Sequence, residues 1–231
     1  MIHAILFDFG GTLDSDGLHW LDRFYDIYDK NGLGHIPKAL VKEAFYWADA
    51  QADLDLGMKS AGLRDMMERH VRWQFQKLNL TDNKLQSGIA DAFIRPSERI
   101  LHRNRRVLEK LSHSGLKLGI ISNFYGNIET LCKEFGFISF MNVILDSAVI
   151  GLKKPDPKLF ELALAKLELP AEQVAFVGDN FDRDIVPAKS VGMKTYCLLG
   201  DQEKTPPLAS QVDVILHSLE DLPHEFKEAL R

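Results

Sequence analysis

Six short runs of mostly apolar residues constrain the fold of this chain more than any other feature of its sequence. They lie at 2–7, 116–122, 142–147, 173–179, 194–199 and 212–218. Runs of about four to eight apolar residues are typical of strands that are buried on both faces, as in a parallel sheet. Amphipathic segments of helical length separate most of the later runs, at 98–113, 126–135, 157–169, 182–191 and 219–230. This alternation predicts βαβ units and an α/β fold with a doubly wound, Rossmann-like parallel sheet.

The segment between the first and second runs, residues 16–95, has a different pattern. It contains no strand-like run, and its helical stretches lie at 18–30, 38–54, 61–78 and 82–95. Trp20, Phe24 and Tyr28 recur every four residues, so they share one helical face that we expect to be buried. The sequence therefore predicts an all-helical insert after the first strand.

Pro96 gives the expected boundary of this insert. A proline disfavours the helical conformation in the residue before it, so we place a helix end there. The predicted core comprises residues 1–15 and 96–231, and the predicted insert comprises residues 16–95. Residues 199–210 are rich in polar residues and proline and are predicted to form a surface loop.

Composition excludes some classes of protein. The chain has 231 residues, a formal net charge of -5 and a pI near 5.9, which argues against a nucleic-acid binder. No apolar run approaches the ~18 residues of a membrane span, and the start lacks a basic leader, so a cytoplasmic protein is expected. The two cysteines, Cys132 and Cys197, form no CxxC pair and are predicted to be buried thiols. The oligomeric state is left open.

Polar residues follow several of the predicted strands. Asp8 follows the first run, Ser122 and Asn123 follow the second, and Asp179 follows the fourth. Because ligands of parallel sheets bind beyond the carboxyl ends of the strands, we expect these side chains to converge. Two further candidates are Lys154, which lies in the loop GLKKPDP that Pro155 and Pro157 constrain, and Asp184, which lies five residues after Asp179.

This set of residues suits phosphoryl transfer. Asp8 can attack phosphorus and form an aspartyl-phosphate. Since carboxylate and phosphate are both anions, the attack needs screening, which a Mg²⁺ ion between Asp8 and Asp179 would supply. Lys154 would neutralise the transferring oxygens. Hydrogen bonds to those oxygens are expected from the Ser122 hydroxyl and from backbone N–H groups, those of Gly10, Gly11 and Asn123.

The segments FDFGGTLD, IISN, GLKKPDP and VGDNFDRD resemble, in this order, the four motifs of the haloacid dehalogenase superfamily. The helical insert resembles the type 1 cap of that family. The resemblance implies that Asp8 is the nucleophile, Ser122 a phosphate ligand and Lys154 a charge stabiliser. It further implies a Mg²⁺ site made by Asp8, the Gly10 carbonyl, Asp179 and Asp184. A small phosphorylated metabolite is the implied substrate.

Gly10 departs from the motif DxDGT of the family's phosphatases, where an aspartate acts as general acid and base. Loss of such a group typically costs about 10²–10⁴-fold in rate. Two consequences compete: the enzyme favours phosphates with good leaving groups, or Asp14, Asp16 or a residue of the cap supplies the proton. Arg23, Lys59 and Arg64 are candidates to reach a substrate, and nothing in the sequence singles one out.

Two other interpretations of the function stay open, and the first is a dehalogenase or a phosphonatase. Dehalogenases of the superfamily have a tyrosine and phosphonatases an alanine at the position of Gly10. A phosphonatase also needs a lysine of the cap for a Schiff base, and Lys38, Lys42 and Lys59 are available. The second reading is a module that binds a phosphorylated ligand without turning it over.

Overall fold

The structure, a computed structural model, describes residues 1–200 and 209–226 and contains one six-stranded sheet. Every pair of neighbouring strands is parallel, and the strand order is β3-β2-β1-β4-β5-β6. The strands are β1 (Ala4–Phe7), β2 (Lys117–Ser122), β3 (Met141–Asp146), β4 (Val174–Gly178), β5 (Lys194–Leu198) and β6 (Val214–Leu216). Five lie within the predicted runs and β3 begins one residue before its run, so the predicted α/β class is confirmed.

Nine α-helices are present in the described residues. Those between β1 and β2 are α1 (Trp20–Tyr28), α2 (Lys38–Leu54), α3 (Leu63–Lys77) and α4 (Asn83–His113). Those after β2 are α5 (Ile128–Glu134), α6 (Ser147–Ile150), α7 (Pro157–Leu167), α8 (Val186–Ser190) and α9 (Leu222–Glu225). The predicted loop at 199–210 and the predicted helix at 219–230 lie partly outside the described residues.

The side chains of β1 alternate between two apolar cores, one on each face of the sheet. Ile5 and Phe7 pack in a core that includes residues of the insert, of α4 and of α9. Ala4 and Leu6 pack in a core that includes residues of α7 and α8. Helices therefore cover both faces, as a doubly wound sheet requires.

The predicted break at Pro96 is wrong, because this residue lies inside α4, which is 31 residues long. Proline removes one backbone donor and crowds the preceding helical turn. In that turn, the carbonyl of Phe93 accepts hydrogen bonds from the Arg23 guanidinium at 2.7 Å and from the Ser97 hydroxyl at 3.2 Å. The carbonyl that loses its helical donor at Pro96 is that of Ala92, four residues earlier, so these two bonds strengthen the turn before the proline without replacing the missing one. The helix α4 packs on α1 and α3 and also contacts β2 and α9.

Burial confirms two smaller predictions. Trp20, Phe24 and Tyr28 are all buried in the core of the insert. Both cysteines are buried, which raises the pKa of the Cys132 thiol to about 12 and that of Cys197 to about 11. Among the described helices, none has the length and apolar character to cross a membrane.

Candidate active site

The strand ends bring three of the predicted residues to one edge of the sheet. Asp8 follows β1, Ser122 ends β2, and Asp179 follows β4. Since β1 pairs with both β2 and β4, these positions are neighbours in space. The Ser122 hydroxyl donates a 2.7 Å hydrogen bond to Oδ1 of Asp8. The site thus lies where open parallel sheets bind ligands, beyond the carboxyl ends of the central strands.

Lys154 lies at the centre of this group and is 4% exposed. Its Nζ is 2.8 Å from Oδ1 of Asp8 and 2.5 Å from Oδ1 of Asp184. Burial by itself lowers the pKa of Lys154, but the carboxylates of Asp184 and Asp8 outweigh this and raise the pKa above its ordinary value. Lys154 is therefore a permanent cation beside the predicted nucleophile.

Asn123 holds the loop that carries Lys154. Its side-chain oxygen accepts the backbone N–H of Lys154 at 2.7 Å, and its amide nitrogen donates to the Lys154 carbonyl at 2.9 Å. The sequence suggested that Asn123 contributes its backbone N–H to phosphate. The structure adds a role for the side chain, which fixes the position of the ammonium group.

Asp8, Asp179 and Asp184 offer carboxylate oxygens that lie within 4.8 Å of one another. Burial, followed by the charges of Asp184 and Asp8, raises the pKa of Asp179 well above its ordinary value. Burial also raises the pKa of Asp184, to about 6. In the described part of the chain, one ammonium group contacts two of these three carboxylates, so excess negative charge is left. Such a cluster of oxygen donors fits a hard divalent cation like Mg²⁺.

The turn after β1 allows the close approach of Asp179. Gly11 has a φ of +96°, and a Cβ there would lie 2.4 Å from Oδ1 of Asp179. Only glycine fits this position. The N–H of Gly11, which the sequence suggested as a phosphate ligand, donates to Oδ1 of Asp14 at 2.8 Å. The Thr12 hydroxyl lies 3.2 Å from Oδ1 of Asp179 and donates to it.

Gly10 lies directly against the indole of Trp20. A Cβ added at Gly10 would be 3.3 Å from both Cε2 and Nε1 of that ring. The indole nitrogen also donates a 2.6 Å hydrogen bond to Oδ2 of Asp14. The φ and ψ of Gly10 are -77° and 119°, which any residue adopts. Packing against Trp20, rather than the backbone, therefore limits a side chain at position 10.

Two of the carboxylates proposed to replace the missing acid face away from the site. Asp14 is fully buried, and burial raises its pKa while its oxygens accept from Gly11, Ser15 and Trp20. Asp16 pairs with Arg103. Neither belongs to the described residues that line the cavity next to Asp8.

The cationic residues suggested for the insert lie elsewhere too. Arg23 is 6% exposed and pairs with Asp14 at 3.6 Å, so it is held inside the protein. Arg64 is exposed and pairs with Asp91 and Glu68. The lysines suggested for a Schiff base, at positions 38, 42 and 59, are absent from the described lining of the cavity next to Asp8, although Lys42 lines a neighbouring one.

A cavity of about 290 Å³ opens next to the acidic cluster. The core contributes Asp8, Ser122, Asn123, Lys154, Asp179 and Asp184 among others, whereas the insert contributes Trp20, Phe45, Tyr46, Asp49 and Asp53. Sequence reasoning missed several lining residues, namely His19, Asp49, Tyr125 and Arg183. Arg183 lies within the motif VGDNFDRD, but the other three lie in no pattern that differs from an ordinary loop or amphipathic helix.

A parallel α/β sheet with a carboxylate cluster and a buried lysine at its strand ends is typical of a class of hydrolases, and comparison with known proteins identifies the same class. The family model described as haloacid dehalogenase-like hydrolase matches residues 2–192. The chain therefore belongs to the haloacid dehalogenase-like hydrolase family, and the resemblance found in its motifs is confirmed.

Curated relatives match part of the chain. It is 29% identical over 142 residues to the haloacid dehalogenase-like hydrolase domain-containing protein 3 of Danio rerio. It is 34% identical over 119 residues to a glyceraldehyde 3-phosphate phosphatase of Methanocaldococcus jannaschii. These matches cover 61% and 51% of this chain, and 59% and 52% of the two relatives. The chain therefore spans little more than half the length of the curated relatives it matches.

Solved structures share the fold over almost the whole chain. A dehalogenase solved with an intermediate complex has a TM-score of 0.64 at 18% identity, covering 97% of this chain and 96% of that one. A phosphatase of the same superfamily from Thermococcus onnurineus has a TM-score of 0.54 at 22% identity, covering 97% and 98%. At these identities the likeness establishes the fold alone.

Proposed function

We propose that the protein hydrolyses a small phosphate monoester with the help of Mg²⁺, in two steps through a phosphorylated Asp8. One observation carries the proposal. The Asp8 carboxylate is held by a hydroxyl and an ammonium group inside a cluster of three carboxylates that fits a divalent cation. The phosphatase relative in Methanocaldococcus jannaschii supports a phosphorylated substrate.

In the first step, an oxygen of Asp8 attacks phosphorus and the alcohol leaves. Ser122 and Lys154 hold the carboxylate in one orientation, which removes part of the entropic barrier to attack. As charge shifts onto the phosphoryl oxygens, the Lys154 ammonium and the Ser122 hydroxyl stabilise them. When bound by Asp8, the Gly10 carbonyl, Asp179 and Asp184, Mg²⁺ would screen the repulsion between carboxylate and phosphate.

In the second step, water attacks phosphorus and releases Asp8. Position 10 offers no carboxyl group to protonate the leaving alcohol or to activate this water. We therefore propose that the enzyme favours phosphates with good leaving groups, such as acyl phosphates, over alkyl phosphates.

The helical insert at 16–95 is proposed to act as a cap that opens to admit substrate and closes to exclude water. Two contacts that join α2 to loops of the core support this role. The Tyr125 hydroxyl is 2.5 Å from Oδ1 of Asp49, and the Lys153 ammonium is 2.9 Å from Oδ2 of Asp53. Both contacts lie at the rim of the cavity and have to break for the insert to move away.

A panel of acyl phosphates, phosphorylated metabolites and haloacids tests the proposal, each assayed with Mg²⁺ and with EDTA. We expect phosphate release that EDTA abolishes and added Mg²⁺ restores. Halide release that persists in EDTA would instead identify a dehalogenase, since that reaction needs no metal. Binding of phosphate without turnover of any compound would indicate a non-catalytic module.

Gly10→Asp tests the role of the missing acid. The variant is expected to raise the rate for glycerol phosphate relative to that for acetyl phosphate by about 10²-fold, because only the poor leaving group needs a proton. Gly10→Ala is the matched control, since its Cβ meets the same Trp20 ring without adding a carboxyl group. An equal change for both substrates in Gly10→Asp would contradict this account.

A further inference from the structure

A chain of buried hydrogen bonds runs from the core of the insert to the wall of the cavity. The Tyr28 hydroxyl donates to Oε1 of Gln74 at 3.1 Å, and Nε2 of Gln74 is 2.9 Å from Nδ1 of His70. Nε2 of His70 is in turn 3.1 Å from Oδ1 of Asp49. Tyr28, His70 and Gln74 are at most 1% exposed, whereas the Asp49 side chain is 32% exposed and lines the cavity.

The direction of this chain follows from its first bond. Because Oε1 of Gln74 accepts from Tyr28, the amide NH₂ of Gln74 faces His70 and donates to Nδ1. This assigns the ring proton to Nε2, which donates to Asp49. From the other side, the Tyr125 hydroxyl donates to the same Oδ1 atom at 2.5 Å. Two donors therefore fix Oδ1, while Oδ2 receives no hydrogen bond from any described residue.

The surroundings of Asp49 suit the organic half of a substrate. Aromatic side chains line the same cavity, those of Trp20, Phe45, Tyr46, Phe124 and Tyr125. Aromatic walls with one well-placed acceptor are a common way to recognise hydroxyl and ammonium groups. Asp8 and Lys154 line the same cavity, and its volume of about 290 Å³ suits a phosphate with a small organic group.

We infer that Asp49 recognises the substrate by accepting a hydrogen bond from a hydroxyl or ammonium group on the organic half of the phosphorylated compound. The inference rests on the proposed function, which it deepens by naming a group that the substrate carries. Buried His70 and Gln74 hold the carboxylate in place, as positioning residues that touch no substrate. The free oxygen of Asp49 is the atom that binds the donor.

Pairs of matched esters test this inference. Glycerol 1-phosphate and propyl phosphate differ only in two hydroxyl groups, and 2-aminoethyl phosphate and ethyl phosphate differ only in an amine. The wild type is expected to prefer the donor-bearing member of at least one pair, and the pair concerned distinguishes hydroxyl from ammonium recognition. Asp49→Asn keeps an acceptor for Tyr125 and His70 but replaces Oδ2 with a donor. We expect it to lower kcat/KM for the preferred ester about 10- to 100-fold, and that for its donor-free partner less than about threefold.

Asp53→Asn is the matched control, because Asp53 lies one helical turn further along α2 and makes the other contact to the core. It is expected to change both members of a pair alike, as weakened closure would. An equal fall for both members in Asp49→Asn, or a wild type without preference in either pair, would overturn the assignment of Asp49 alone. A wild type that hydrolyses neither phosphate esters nor acetyl phosphate would overturn the proposed function and this inference with it.

Discussion

Asp8→Asn is expected to reduce phosphate release roughly 10⁴-fold or more, the loss typical of removing a nucleophile. An amide oxygen cannot form the acyl phosphate that the second step hydrolyses. The fold should be kept, because the new side chain still offers an oxygen to the Ser122 hydroxyl and Lys154 still pairs with Asp184. Removing one of three clustered carboxylates also lowers their mutual repulsion. Single-turnover assays together with thermal unfolding measure both effects.

Asp16→Asn is the control for this experiment. Asp16 belongs to the same loop but pairs with Arg103, outside the described lining of the cavity. Its φ of 49° is left-handed, a conformation that asparagine tolerates well. Turnover should stay close to that of the wild type. Substantial activity in Asp8→Asn would mean that another residue is the nucleophile. A large loss in Asp16→Asn would indicate that Asp16 supplies the proton that position 10 cannot.

The residues that converge on Asp8 could be predicted because a parallel sheet fixes where strand ends lie. Ser122 ends β2 and Asp179 follows β4, and both strands are neighbours of β1. Their positions at the strand ends therefore suffice to bring them together. Lys154 followed from its place directly before Pro155 within a family motif. The pairing of strands itself depends on apolar runs that are easily seen in the sequence.

The side of the cavity that the helical insert forms could not be predicted in this way. Asp49 reaches the cavity only through the packing of α2 against α3 and against the loop that carries Tyr125. In the sequence it is one of many acidic residues on an amphipathic helix. His70 likewise has the spacing of an ordinary buried helix residue, and only the structure links it to Asp49.

The wrong helix end at Pro96 has a similar cause. The local rule that proline ends a helix is correct for a chain without tertiary partners. Here α4 packs on α1 and α3, and Arg23, some seventy residues away in sequence, donates to the carbonyl of Phe93, three residues before the proline. Tertiary contacts of this kind override the local preference, and no window of the sequence around Pro96 contains them.

This role gives Arg23 the largest expected effect on stability. Its guanidinium donates to Phe93 at 2.7 Å and to Ser97 at 2.9 Å, and it lies 3.6 Å from the centroid of the Phe93 ring. It is also 3.6 Å from Asp14, which is fully buried. Arg23→Met is therefore expected to lower the free energy of unfolding by about 3–5 kcal/mol, because a buried carboxylate is left uncompensated. Urea unfolding at equilibrium measures the change.

Arg95→Met is the matched control, since Arg95 also pairs with an aspartate, Asp91, but its side chain is 71% exposed. Exposed pairs contribute little, so this variant should unfold almost like the wild type. Adding Asp14→Asn to Arg23→Met should recover part of the lost stability, because the uncompensated charge is then removed. Equal stabilities of Arg23→Met and Arg95→Met would mean that the buried guanidinium does not support α4 at Pro96. Recovery in the double variant would instead place the cost on Asp14, and so link the stability of the helix to the loop that carries Gly11 and Trp20.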